Sequence, residues 1–218
     1  MKKLTIKLTF LESILGTSPN TQDIYQEFIA SKAPDAISVE DEIAAVGVEA
    51  YTEKGITVFP RDAQGRPFVF DYQVKGFFKD ACQMLSRLSK REELIDEDGK
   101  RKKTKTAANE SGKLKAYKKE IDGLIFVEPR QILIECGEAD VGLNQRPLRA
   151  QTAQGERTAL AISEELPAGS TITFSVIMFN PDHEAAVREW LDYGFYRGLG
   201  QWRNSGHGRF SYEVLAEA

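Results

Sequence analysis

Apolar and polar side chains alternate along the first ten residues. Lysines and threonines separate a set of apolar side chains at every second position, namely Leu4, Ile6, Leu8 and Phe10. A period of two is typical of a strand with one buried face, so we predict a strand over residues 3–10. The segment has no long apolar block and no small-residue cleavage site, which favours a strand over a signal peptide.

A helical period replaces this alternation at residues 71–88. Apolar side chains fall there at i, i+3, i+4 and i+7, the pattern of a helix stripe that faces a core: Val74, Phe77, Phe78, Ala81, Leu85 and Leu88. We expect Asp71 to cap this helix. The opposite face carries Lys75 and Lys79, and the first turn offers free amides and a dipole that attract anions. This face is therefore either a solvated surface or part of an anion-binding site.

The remaining pattern predicts short helices early in the chain and a β-rich second half. The predicted strands at 56–59 and 67–70 flank a glycine-containing loop, which indicates a hairpin. This order of elements predicts an α+β fold, specifically a ferredoxin-like (RRM-like) antiparallel sheet with helices on one face. The predicted helices span about 21–30, 38–53 and 180–193, and the predicted strands span 56–59, 67–70, 124–127, 132–135, 146–151, 157–162, 171–177 and 210–215.

Composition narrows the class of protein. The 218 residues are 41% hydrophobic and 28% charged, which is ordinary for a globular protein. No apolar run approaches the roughly 20 residues of a membrane helix, so we expect no membrane partner. The two cysteines, Cys82 and Cys136, argue against a disulfide framework, which fits a reducing cytosol and a cytoplasmic location. The two histidines are far apart in sequence, so no metal site and no cofactor are predicted.

Charge is unevenly distributed on a chain of net charge −4. Residues 1–60 hold nine acidic and five basic side chains, whereas residues 87–119 hold six acidic and twelve basic ones. We interpret about 11–55 as an acidic helical insertion or a partner-binding face. Residues 89–119 almost lack large apolar side chains, so they form either a disordered loop or a flexible basic arm that orders on a phosphate backbone. Lys102 and Lys103 are the RNA-binding candidates of this arm.

Two G-x-G pairs stand before the last predicted strand. Glycine allows positive φ and close approach of another chain, and arginine supplies a planar fork that fits phosphate and stacks on bases. Nucleotide-binding glycine loops follow a strand and open a helix, whereas this loop follows a helix and precedes a strand. The pattern therefore indicates contact with an anionic polymer, through Arg197, Gly198, Gly200, Arg203, Gly206, Gly208 and Arg209.

With these motifs placed, the chain resembles the RAMP superfamily, the ferredoxin-like RNA-binding proteins of CRISPR systems. Residues 198–210 look like its C-terminal loop, G-h-G-x-x-R-x-x-G-h-G-x-h, where h is apolar. Residues 72–80 are similar to the S-S-L-K-G-x-h-R helix start of backbone-forming subunits, and residues 156–174 look like its strand with P-x-G-x-x-F. Three departures stand out: Gln73-Val74 replaces small residues, His207 occupies an apolar position, and residues 11–55 match nothing in the family core.

The resemblance implies one RAMP-like domain over residues 1–218 that binds RNA without catalysis, inside a CRISPR-type ribonucleoprotein complex. Its implied partners are single-stranded RNA and either other protein subunits or further copies of itself. Trp202 and Tyr196 either stack on bases or pack in the core. The implied RNA-binding residues are Lys75, Gly76, Lys79, Lys102, Lys103, Arg197, Gly198, Gly200, Trp202, Arg203, Gly206, His207, Gly208 and Arg209.

Two alternatives stay open from the sequence. The first is a metal-independent endoribonuclease, in which His207, with Lys75 and Tyr72, would supply proton transfer and phosphate contacts; target cutting would instead use an early acid such as Asp35, Asp41 or Asp62. In the non-catalytic case His207 is a packed substitute for an apolar residue. The second alternative is a phage or accessory protein that uses the fold to scaffold or inhibit a defence complex.

Overall fold

The computed structural model describes residues 1–19, 56–88, 90–95, 101–106, 109–137, 140–152 and 155–218, and for 19, 90–95, 101–106, 148–152 and 155–159 it describes the backbone alone. The strands are β1 (Lys2–Phe10), β2 (Ile14–Leu15), β3 (Ser18–Pro19), β4 (Ile56–Val58), β5 (Phe68–Phe70), β6 (Lys90–Ile95), β7 (Arg101–Thr106), β8 (Ile125–Glu128), β9 (Gln131–Glu135), β10 (Gly142–Thr152), β11 (Gly155–Leu166), β12 (Thr171–Met178) and β13 (Phe210–Glu217). The α-helices are α1 (Asp71–Leu85), α2 (Glu110–Lys113), α3 (Tyr117–Leu124) and α4 (Glu184–Arg197).

The first sheet is built around β1, as the alternation of its side chains predicts. Its strands lie in the order β13-β1-β12-β9-β5, with β8 also paired to β12, and every pair is antiparallel. Strands β8 and β9 both run along the same neighbour, β12. The apolar face of β1 joins that of β12 in one core, through Leu4, Ile6, Leu8, Phe10, Ile172, Phe174, Val176 and Met178.

Two long helices contribute to the same core. The ring of Phe78 on α1 lies 5.4 Å from that of Trp190 on α4, and both side chains are fully buried. The predicted stripe of α1 is confirmed through Leu85, but Leu88 lies in a following 3-10 turn and is 63% exposed. The cap prediction is wrong by one residue, because Asp71 is already helical and Gln73 Oε1 accepts the hydrogen bond from Phe70 N at 2.7 Å.

A second sheet has the order β10-β11-β4-β3, with β2 also paired to β11. Strands β10 and β11 form a long antiparallel hairpin, and β4 joins β11 in parallel. The predicted hairpin of residues 56–59 and 67–70 is therefore wrong, because β4 belongs to this sheet and β5 to the first. Only one bridge, between Arg61 and Pro67, closes the connecting loop.

The predicted basic segment includes regular structure. Strands β6 and β7 pair in antiparallel register with each other, and Lys103 lies opposite Glu93. Residues 109–124 hold α2 and α3, from which Ser111 and Ile121 are buried. The Ser111 hydroxyl accepts a hydrogen bond from Trp190 Nε1 at 2.9 Å, so this part of the segment contacts α4.

These elements confirm an α+β fold with predominantly antiparallel sheets. The ferredoxin-like arrangement and the division into one domain, an insertion and an arm stay predictions. The predicted helices at 21–30 and 38–53 lie outside the described residues. No helix in the described part of the chain is both long and apolar enough to cross a membrane.

Candidate nucleic-acid interface

The glycine-rich loop, residues 198–209, connects α4 to β13 and takes its shape from its glycines. Gly198, Gly200, Gly206 and Gly208 have φ of 76°, 91°, 93° and 72°, in the left-handed region that favours glycine. A Cβ on Gly198 would lie 2.5 Å from His207 O, and one on Gly208 would overlap the carbonyl oxygen of Leu199. The two G-x-G pairs therefore pack against each other.

Hydrogen bonds then fix the loop to the sheets. Leu199 N donates to Gly208 O at 2.8 Å, and Gly208 N donates to Ser13 O at 2.8 Å. Gln201 Nε2 donates to Gly16 O at 2.7 Å. The last two hydrogen bonds attach the loop to residues 13–16, the segment that follows β1 and contains β2 of the second sheet.

Arg197 and Arg203 converge on one carboxylate of α1. Arg197 Nε donates to Asp80 Oδ2 at 2.9 Å, and Arg203 Nη1 donates to the same oxygen at 2.7 Å. Burial opposes the charged form of Asp80, but the two guanidinium groups outweigh it and hold the pKa of Asp80 below its ordinary value. Two cations on one carboxylate leave a net positive charge at the junction of the loop and α1.

Trp202 contacts groups of the protein itself. The guanidinium carbon of Arg146 lies 4.0 Å from the centre of its ring, and the His207 ring stacks on it at 5.6 Å with an interplanar angle of 24°. Its backbone has φ 55°, a conformation that costs a non-glycine residue about 1–3 kcal/mol. The geometry thus favours packing for Trp202, whereas Tyr196 is 74% exposed and keeps a free ring surface.

Arg146 is the residue of this cluster that the sequence analysis missed. It lies on β10 with 5% of its surface exposed, and burial lowers the pKa of its guanidinium. Nη2 donates to Gln201 Oε1 at 3.2 Å, while Nε and Nη1 find no hydrogen-bond partner among the described residues. No signal in the sequence marks Arg146 as a buried residue, because which face of β10 is buried depends on the loop that covers it.

His207 is held by one of its two ring nitrogens. Nδ1 lies 3.0 Å from Ser13 Oγ and 4.0 Å from Glu165 Oε1, and 18% of the side chain is exposed. Any proton transfer to a ligand would therefore use Nε2. Asp62, the one described acid of the target-cutting alternative, binds Arg66 and the amide of Gln64 in a turn, while Asp35 and Asp41 lie outside the described residues.

Lys75 and Lys79 form a second cationic group on α1. Lys75 Nζ donates to Asp122 O at 3.2 Å and lies 5.0 Å from the centre of the Phe126 ring. Lys79 Nζ pairs with Asp122 Oδ1 at 2.6 Å. Burial, and to a lesser extent the charge of Lys79, lowers the pKa of Lys75 even though Asp122 opposes the shift.

The other predicted residues are distributed over three places. A Cβ on Gly76 would meet no atom of the described chain within 4 Å, so this helix position is open. Arg209 Nε donates to Phe195 O at 2.7 Å, at the end of α4. Lys102 and Lys103 lie on β7, where only the backbone is described.

The structure therefore brings Arg197 and Arg203 together with α1, and does not place the β7 lysines with them. Sequence reasoning also missed Asp80 and Ser13, which hold the loop. Asp80 had a usable signal, because it lies one turn after Gly76 in the quoted motif and has a charge opposite to the arginines.

Comparisons with known proteins find similarity among solved structures. No protein-family model and no curated protein matches the chain. Among solved structures, the chain is similar to one from a cryo-EM structure of the Type III-B Cmr-beta bound to cognate target RNA, with a TM-score of 0.49 and 9% identity. The match covers all of this chain and 60% of the other, and a likeness of this size carries no functional argument.

Proposed function

We propose that the chain is a RAMP-like protein that binds single-stranded RNA without cleaving it. The observation that carries this proposal is the shared carboxylate of Asp80, which joins two motifs that lie about 120 residues apart in sequence. Through Asp80, the part of α1 that carries Lys75 and Lys79 and the glycine-rich loop become parts of one surface. The sequence predicts an RNA-facing role for both motifs.

The proposed fold is ferredoxin-like. In support, β1, α1, β8–β9, β12, α4 and β13 occur in this order along the chain, with other elements between them. Counting β8 and β9 as one interrupted strand along β12, they read strand, helix, two strands, helix and strand. Their sheet order, β13-β1-β12-β9, is fourth, first, third and second, which is the order of a split βαβ pair. Both helices join the core on the apolar face of β1.

The proposed surface would hold RNA through fixed guanidinium groups. Each arginine has five N–H donors, of which Asp80 and Asn204 engage only some. Because the carboxylate already orients both forks, less side-chain entropy is lost when they bind a phosphate. Lys75 and Lys79 would add positive charge on the part of α1 that precedes Asp80.

The remaining parts of the proposal rest on the resemblance. We propose one domain over residues 1–218 with an insertion and a basic arm, working in the cytoplasm within a CRISPR-type ribonucleoprotein. Its protein partners would be other subunits or further copies of the chain. Native purification followed by sequencing of any co-purifying nucleic acid tests this part directly.

The RNA-binding surface is tested with a double variant, Lys75→Ala with Arg203→Ala. We expect weaker binding of a labelled single-stranded RNA and a salt slope smaller by about 1.4, since each lost phosphate contact on a single strand removes about 0.7. Arg66→Ala is the matched control, because it removes a cation paired with Asp62 outside the predicted motifs. If the double variant kept its fold, its affinity and its slope, these residues would be removed from the site.

A further inference from the structure

A stacked aromatic pair, half-buried Phe70 and exposed Tyr72, stands at the start of α1. The rings of Phe70 and Tyr72 are stacked, with centres 5.1 Å apart and an interplanar angle of 18°. Phe70 in turn meets the buried ring of Phe68 edge to face at 4.9 Å. Tyr72 is 51% exposed, so its ring packs on Phe70 and still presents part of its surface to solvent.

Arg130 completes this platform with a cation. Its guanidinium carbon lies 5.7 Å from the centre of the Tyr72 ring and 5.9 Å from that of Phe70. The Asp71 carboxylate holds it through Nη1 at 3.0 Å, and Asp71 N donates to Arg130 O at 3.1 Å. The Arg130–Asp71 ion pair has no net charge, so the Asp71 carboxylate does not repel an approaching phosphate.

The surface of α1 next to Tyr72 has no side chain at Gly76. Gly76 lies four residues later, on the same face of α1, where no described atom would meet a Cβ within 4 Å. Its φ is not positive and its position is exposed, so neither backbone strain nor packing accounts for a glycine there. Glycine inside a helix costs about 0.5–1 kcal/mol relative to alanine. The missing side chain leaves room for a ligand to approach the backbone of α1 closely beside Tyr72.

We propose that Tyr72, backed by Phe70 and flanked by Arg130, is a stacking platform for one unpaired base of single-stranded RNA, whose backbone crosses Gly76. This subsite rests on the proposed RNA-binding function and adds to the cationic residues of α1 and the loop. The occupant is an RNA base because an exposed phenol ring beside a guanidinium offers a π-face and a cation together, and lysines of the same helix follow within two turns.

The test combines affinity with a stacking signal. A short oligouridine carrying a single 2-aminopurine loses fluorescence when that base stacks on an aromatic ring. We expect Tyr72→Ala to bind about 5- to 150-fold more weakly and to abolish the quenching at one position. The salt slope should stay unchanged, because no phosphate contact is removed. Tyr72→Trp should keep both the affinity and the quenching.

Phe179→Ala is the matched control for the loss of an exposed ring. Phe179 is 57% exposed and packs edge to face on Phe126, and it is not part of the Phe70–Tyr72 stack. It should bind RNA like the unmodified protein. If Tyr72→Ala kept both affinity and quenching while the unmodified protein binds RNA, the platform would be wrong and the proposed function would stand. If the unmodified protein binds no RNA, both fail.

Discussion

At the scale of single residues, a substitution at Gly76 should change the free energy of unfolding and the RNA affinity in different ways. Alanine has a higher helix propensity than glycine, and at this position a Cβ would meet open space. We therefore expect Gly76→Ala to raise the free energy of unfolding by about 0.5–1 kcal/mol. The same methyl group would stand between α1 and an RNA backbone, so RNA affinity should fall. Denaturant unfolding and an RNA titration measure the two effects independently.

Gly123 provides the control for this substitution. It lies on α3, and a Cβ there would also meet no described atom within 4 Å. Gly123→Ala should stabilise the protein in the same direction and leave RNA affinity unchanged. A Gly76→Ala protein that is more stable and binds RNA as tightly as before would show that no ligand crosses this position.

Single residues also show where sequence interpretation ends. The sequence indicates that the loop needs glycines, because positive φ and close approach are local demands that glycine meets best. It could not indicate that Trp202 stacks against Arg146 and His207, because that contact depends on β10 pairing with β11 beneath the loop. A tryptophan among arginines looks the same in sequence whether its neighbours are bases or side chains.

At the scale of elements, Asp80 joins α1 to the glycine-rich loop, and its ionisation should be visible in stability. Its pKa lies below the ordinary value of 3.8, because the arginine contacts outweigh burial. A carboxyl with a depressed folded-state pKa stabilises the protein above its unfolded pKa, and that stabilisation is lost as the pH falls through the folded value. Asp80→Asn should therefore cost about 1 kcal/mol at pH 7 and less in acid.

Urea unfolding at neutral and acidic pH measures this difference. Glu213→Gln, an exposed carboxylate on β13, controls for the change in net charge. The ion-pair account predicts that the Asp80→Asn and unmodified curves converge as the pH falls. Curves that stay parallel between pH 7 and strongly acidic conditions would contradict it.

Elements were predictable where their pattern is local. Strand β1 and helix α1 follow from a period of two and a helical stripe, and the core uses both as expected. The hairpin of residues 56–59 and 67–70 was wrong because strand pairing is decided by distant partners. Ile56 lies beside Ile162, and Phe68 beside Leu133, so the two runs enter different sheets. A glycine-containing loop between two β-rich runs cannot report such partners.

At the scale of the whole molecule, an acidic chain must bind an anion through a confined surface. The net charge is −4, and four cations at or near the proposed surface each pair with a carboxylate, namely Lys79, Arg130, Arg197 and Arg203. Asp71, Asp80 and Asp122 position these cations and also reduce their net charge. Binding through so few uncompensated charges should show a shallow salt dependence and a large share from stacking.

The same molecular arrangement predicts that bound RNA stays intact. His207 holds Ser13 through Nδ1 and stacks on Trp202, an arrangement that orients the ring for packing within the loop. Labelled RNA incubated with the protein, with and without a chelator, should therefore remain uncleaved. His207→Asn, whose amide lies near the Nδ1 position and can still hydrogen-bond to Ser13, should bind RNA within about twofold of the unmodified protein, since a retained hydrogen bond preserves most of the loop anchoring. Cleavage that resists the chelator and disappears in His207→Asn would instead establish the endoribonuclease, with Nε2 as the group that transfers the proton.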